Sequence, residues 1–225
     1  MLVSYKTLYM NKKEQTIEEQ VSKEKLILQA AEEEFLTKGF DGARTTSIAE
    51  TAGVTHAMLH YYYRTKEQLF EHILNEKIAL MASSITEVLG DPSLPVLERL
   101  EQGINRHFDF LIANPQLPRF VINEVIPYPE RLKIMQNNIL RISSAMFQQL
   151  QHDLNVSAAA GKTEAIDVRM LLIDLLSLNV LPFLIYPVVQ HVFSDIAVDQ
   201  DSFFEMRRAE AVETIMRRLI KQPAI

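Results

Sequence analysis

The segment TTSIAETAGVTHAMLHYYYRTK, at positions 45–66, allows this chain few folds. It reads as two short helices joined by a tight turn and passed directly into a third. Ala49 and Gly53 stand four apart, and Leu59 follows six later. A small residue lets a second helix cross closely. A glycine takes a left-handed turn conformation without steric penalty, and a branched apolar side chain fills the angle between the helices. That spacing is what a helix-turn-helix requires. Thr45 is placed to cap the second helix of the chain and Thr55 the third, each hydroxyl meeting an amide the helix leaves unpaired. Between Thr51 and Lys66 there is no acidic residue, while His56, His60, Tyr61, Tyr62, Tyr63, Arg64 and Lys66 are present. Such a surface is suited to lie against phosphates. Three successive tyrosines cannot all face one core, because adjacent helical positions point ~100° apart. At least one must be exposed.

Thr45, Ile48-Ala49, Ala52-Gly53-Val54-Thr55, Leu59, Tyr62-Tyr63, Lys66-Glu67 and Leu69 follow one another in a specific order and spacing. In this the chain resembles the DNA-binding head of the tetracycline-repressor (TetR) family of bacterial regulators over roughly residues 23–75. The family pattern is T-x-x-I-A-x-x-A-G-V-S-x-G-x-L-Y-x-Y-F-x-x-K-E-x-L. Three positions depart from it: Ala57 stands for a glycine, His60 for the first tyrosine and Tyr63 for the phenylalanine. The resemblance implies that Tyr62 and Lys66 contact phosphate and that Tyr63 packs inward. Thr45, Thr55, His56, Ala57, Met58, His60, Tyr61, Tyr62 and Lys66 form the expected DNA-binding set, with His56, Met58, His60 and Tyr61 as candidates for base edges or nearby phosphates. His56 and His60 also have the i, i+4 spacing of helical metal ligands. With no third ligand nearby, no metal site is expected.

Composition excludes several alternatives. There is no cysteine, which rules out disulfides, thiolate metal sites and thiol catalysis. The net charge of −6 does not speak for nucleic acid, but the relevant charge is that of one face, and acidic residues such as Glu32–Glu34 cluster elsewhere. Residues 1–20 hold no apolar run resembling a signal peptide. The longest apolar stretch, 171–192, is interrupted by Asp174, Asn179, Pro182, Pro187 and Gln190, so it is expected to be a buried bundle helix rather than a membrane span. A cytoplasmic protein is expected. Met10 offers an alternative start. Only six glycines occur, with no phosphate-cradling glycine loop, nucleophile–base pair or paired-carboxylate motif, so neither an enzyme nor a cofactor is expected.

Periodicity predicts an all-α chain, and the resemblance implies an N-terminal three-helix head joined to a larger helical bundle for effector binding and dimerisation. Residues 1–21 read as a flexible extension, 22–75 as the DNA-binding domain and 76–225 as the second domain. The first helix is predicted over 22–38, with Leu26, Ile27, Ala30, Ala31, Phe35 and Leu36 as its apolar stripe. Thr65-Lys66-Glu67-Gln68 is a capping-box pattern opening a fourth helix that reaches Leu89. Further helices are predicted over 94–113, 118–125, 130–155, 163–193 and 202–221, with kinks at Pro182 and Pro187.

His107, Phe110, Tyr128, Met146, Phe147, Phe183 and Tyr186 are the candidate ligand-binding residues, with Asn123, Glu124, Asn138 and Asn179 as polar groups near the same segments. The absence of a dense charged cluster there suggests a largely apolar effector. Leu171, Leu172, Leu175, Leu176, Leu178 and Leu181 cover more than one side of their helix, which therefore needs burial on two faces. The resemblance implies a homodimer through residues 163–193 and 202–221. The expected function is a ligand-released repressor of a palindromic operator. The alternative is a helical small-molecule carrier or interaction module with a relic head.

Overall fold

The computed structural model describes the backbone of residues 2–196 and 199–221, and the side chains of 22–83, 85–196 and 199–221. Among the described residues every regular element is helical, and the one extended pairing is an isolated bridge between Thr163 and Ile220. The chain divides into two compact units, Met1–Glu76 and Lys77–Ile225.

The first unit contains α1 (Leu2–Gly42), α2 (Thr45–Thr51), α3 (His56–Tyr62) and the start of α4 (Lys66–Leu89). Helix α1 begins earlier than the predicted residue 22 and runs on to Gly42, broken at Gly39. The added N-terminal residues include neither glycine nor proline, so nothing in their backbone chemistry ends the helix there. Ile27, Ala30, Ala31 and Phe35 of α1 are buried with Ile48, Ala49, Leu59, Leu69, Phe70 and Ile73. Leu26, predicted in the same stripe, is exposed instead. Phe70 meets both Phe35 and Phe40 edge-on, at centroid separations of 5.2 and 5.1 Å.

The second unit holds the rest of α4, then α5 (Val96–Ala113), α6 (Leu117–Phe120), a π-helical turn (Val121–Val125), α7 (Pro129–Ala159), α8 (Val168–Val192) and α9 (Gln200–Leu219). Its core gathers Leu89, Leu100, Ile104, Leu150, Leu154, Leu171, Leu175, Ala211, Ile215 and Leu219. A Cβ added at Gly103 would lie 2.6 Å from Leu89 Cδ2, so a larger residue there would have to displace the Leu89 side chain.

Several predicted boundaries move, each for a local reason. Helix α7 continues through Ala159 and ends in a Schellman turn, in which Gly161 adopts φ 71° and Lys162 N–H donates to the Ser157 carbonyl at 3.0 Å. Helix α8 starts at Val168, not 163. Asp167 caps it, and Glu164 N–H is taken up by the Leu219 carbonyl at 2.8 Å. Asp199 likewise starts α9 at Gln200 by accepting from the amides of Asp201 and Ser202. Helix α8 runs through Pro182 and Pro187, and it is long and apolar enough to cross a membrane by length and composition alone. Within one copy the core covers only one of the two faces expected to need burial. Val168, Leu171, Leu175, Asn179 and Phe183 face the core, whereas Met170, Ile173, Leu181, Val188 and Val192 are exposed.

Candidate nucleic-acid interface and bundle core

The turn between α2 and α3 is built by its backbone. Gly53 takes φ 65°, its N–H donates to the Glu50 carbonyl, and Val54 N–H reaches back to Ala49 at 3.0 Å. These are the two bonds of a Schellman turn, and the positive φ explains why glycine stands there. Thr55 then caps α3, its Oγ1 accepting from Met58 N–H at 3.2 Å. Thr65 caps α4 in the same way, from Gln68 N–H at 3.2 Å.

The cap predicted at Thr45 does not form. Arg44 is the N-cap of α2, Thr45 is its first helical residue, and the Thr45 hydroxyl pairs with His56 Nε2 at 3.0 Å. That bond ties the first turn of α2 to the first turn of α3. A second brace comes from Glu34, which sequence reasoning had noted only as part of an acidic cluster. Its carboxylate accepts from Lys38 Nζ at 2.7 Å, from Arg44 N–H at 3.2 Å and from Ser47 at 3.4 Å. Burial favours its protonated form, but these bonds and the Lys38 charge hold its pKa below the ordinary value. No local pattern signals this role, since two of the partners lie 10 and 13 residues away.

Helix α3 turns Leu59 into the core and exposes His56, Ala57, His60 and Tyr61, with Met58 and Tyr62 half-buried. Tyr61 is 76% exposed and meets Tyr62 edge-on. Tyr63 is buried, and its hydroxyl donates to Glu24 at 3.1 Å. Burial, and then the Glu24 carboxylate, push the phenol pKa upward. The three tyrosines thus grade from solvent to core. Lys66 Nζ lies 4.5 Å above the Phe40 ring at the start of α4. A polar hollow of ≈480 Å³ beside α2 is lined by Lys38, Gly42, Arg44, Thr46, Ser47 and Glu50.

In the second unit the candidate ligand residues separate into groups. Phe183 packs against Phe108 (5.3 Å) and Phe204 (4.2 Å), and Tyr186 joins through Phe204 at 5.5 Å. His107 is beside this cluster, buried, with Nδ1 3.1 Å from Asn179 Nδ2. Asn179 Nδ2 also donates to the Ile104 carbonyl at 3.1 Å, and its Oδ1 is buried with no hydrogen-bond partner among the described residues. Burial lowers the His107 pKa to about 4, so the ring is neutral. Phe110 is buried on α5. Met146 belongs to the aliphatic core, with Phe147 packed against it. Tyr128 stands elsewhere, under the Arg131 guanidinium, 4.1 Å from its ring, while Arg131 pairs with Glu124 at 3.0 Å. Asn138 bonds within its own helix, to the Ile134 carbonyl.

Residues 27–73 match the sequence profile of the bacterial regulatory proteins of the tetR family. Over those residues the chain is similar to this family's DNA-binding head. Two relatives show how the tetR-family likeness is distributed. RutR from Escherichia coli K12 is 44% identical over 109 residues, 47% of this chain and 49% of RutR. The transcriptional activator FasR from Mycolicibacterium smegmatis is 23% identical over 149 residues, 66% of this chain and 68% of FasR. The matches thus span about half to two thirds of these relatives. Among solved structures, the transcriptional regulator FadR from Bacillus subtilis, in complex with stearoyl-CoA, has a TM-score of 0.63 at 19% identity, covering 86% of this chain and 97% of FadR. That likeness is one of fold and extends across both units.

Proposed function

We propose that this chain is a one-component transcriptional repressor that reads a palindromic operator as a homodimer and is released by a small, largely apolar effector. The observation that carries the reading is the exposed face of α3. His56, Ala57, His60 and Tyr61 stand in solvent on a helix closed by a Schellman turn on one side and a threonine-capped helix on the other. That face holds no carboxylate that would repel a duplex. Thr45, Thr55, Met58, Tyr62 and Lys66 surround it as positioning contacts. Lys66 and the first turn of α4 offer a cation and free amides to one phosphate.

The exposed apolar stripe of α8, from Met170 to Val192, favours a second copy as its cover. Two helices from each subunit, α8 and α9, would form an isologous four-helix interface. The aromatic cluster around Phe183 and the unpartnered Asn179 Oδ1 support an effector that is mostly apolar with one polar group. Stearoyl-CoA, found in FadR, is one molecule with a long apolar part. Helix α4 carries residues of both units, so an effector that changes its inclination changes the separation of two heads. Coupling of 1–3 kcal/mol lowers affinity roughly 5- to 150-fold.

The test is a titration of the DNA upstream of the chain's own gene, with and without compounds that raise its melting temperature. Salt-dependent, sequence-selective binding that such a compound weakens is the expected result. If the compounds stabilise the protein yet leave DNA affinity unchanged, the release mechanism is wrong. Ligand binding without any DNA selectivity would favour the carrier instead.

A further inference from the structure

His60 is exposed on α3, and its Nδ1 lies 3.2 Å from the carbonyl oxygen of Arg64. A carbonyl oxygen can only accept, so the proton sits on Nδ1. In the neutral imidazole this leaves Nε2 as a bare acceptor. Turning the ring over would put a carbon against the carbonyl and lose the bond, so one contact selects both ring face and tautomer. The carbonyl is itself held in place from both sides. Tyr63 N–H is bonded to Leu59 O at 2.8 Å before it, and the Thr65 cap follows it. His107 has the opposite arrangement. Asn179 Nδ2 gives one hydrogen to Ile104 O and the other to His107 Nδ1, which therefore accepts.

We propose that His60 is a specificity-determining residue that reads an exocyclic amino group, N6 of adenine or N4 of cytosine, in the major groove. This rests on the reading of α3 as the DNA-facing helix. Each base pair presents its own order of donors and acceptors there, and the amino groups of adenine and cytosine are the donors. An acceptor at Nε2 complements those two and faces unfavourable lone pairs on guanine O6 and N7 and on thymine O4. It also meets a phosphate oxygen unfavourably, since both would be acceptors. The same position occupied by a tyrosine could donate to a phosphate. The histidine, with its proton spent on Arg64, instead reads a base.

Two measurements on the full chain test this. Long-range ¹H–¹⁵N correlation spectra, with His60 assigned from its absence in His60→Gln, are expected to show Nδ1 protonated and Nε2 bare. A spectrum with the proton on Nε2 overturns the proposal. On the best duplex recovered from a random library, each adenine is then replaced by purine and each cytosine by 2-pyrimidinone, which removes only the amino group. One position in each half-site is expected to lose about 5- to 150-fold in affinity for the parent and little for His60→Ala. If every amino deletion costs the parent and His60→Ala the same, this inference fails while the regulator reading stands. A parent chain with no sequence-selective binding overturns both.

Discussion

His107 is 1% exposed, and burial lowers its pKa to about 4. Its unfolded value is near 6.5. Below pH 6.5 the unfolded chain takes up a proton that the native chain refuses, so stability present at neutral pH declines as pH falls toward 4. The loss is about 2 kcal/mol by pH 5 and about 3 kcal/mol by pH 4. Glu34, whose pKa is lowered, loses its contribution only further down, as pH falls through its own folded value. The window between pH 6.5 and 5 therefore belongs to His107. Amide exchange of α5 and α8, corrected for the intrinsic rate at each pH, is expected to accelerate across that window in the parent. In His107→Gln, which can still accept from Asn179, most of that acceleration should disappear. An equal acceleration in both would show that His107 is not the group responsible.

At the scale of elements, the helix-turn-helix was legible because its determinants are local. Gly53, Thr55 and Thr65 each act within three to five residues, and the structure uses all three as their spacing suggests. What was not legible spans longer separations. The Thr45 hydroxyl is drawn off its cap by His56, 11 residues on, and Glu34 reaches 13 residues to Ser47. Tyr128, a candidate ligand residue, stands under Arg131 and outside the cluster around Phe183, a separation that no local spacing reveals. A Cβ at Gly53 meets nothing within 4 Å, so Gly53→Ala suffers only from its φ of 65°. A loss of roughly 1–2 kcal/mol is expected in denaturant unfolding of the head, with Gly53→Asn intermediate. No loss would mean that the turn relaxes. At the start of α4, Lys66→Ala should weaken binding to all duplexes nearly equally and reduce the salt slope by about one unit. A slope unchanged in a folded variant would remove Lys66 from the phosphate contacts.

For the whole molecule, the informative feature is an apolar face that one copy cannot cover. Leucines on more than one side of α8 announced a helix needing burial on two faces, and within one copy only its inner face meets the core. Sequence could count the faces but not say which chain supplies the second cover. Ile173→Glu with Val188→Glu should place charge on the outer face without disturbing Leu171 or Leu175. Sedimentation is expected to show the parent at twice the chain mass and the double variant at the chain mass, with operator affinity lost alongside. A parent that sediments as a monomer would refute the dimer. The central claim, that paired α3 helices read DNA, is tested most directly by selecting the full chain's binding sites from randomised duplexes. Paired α3 helices require an inverted repeat whose half-sites lie about one helical turn, ~34–36 Å, or a multiple of it apart. Recovery of no enriched sequence, or of a single unrepeated half-site bound by a monomer, would contradict it.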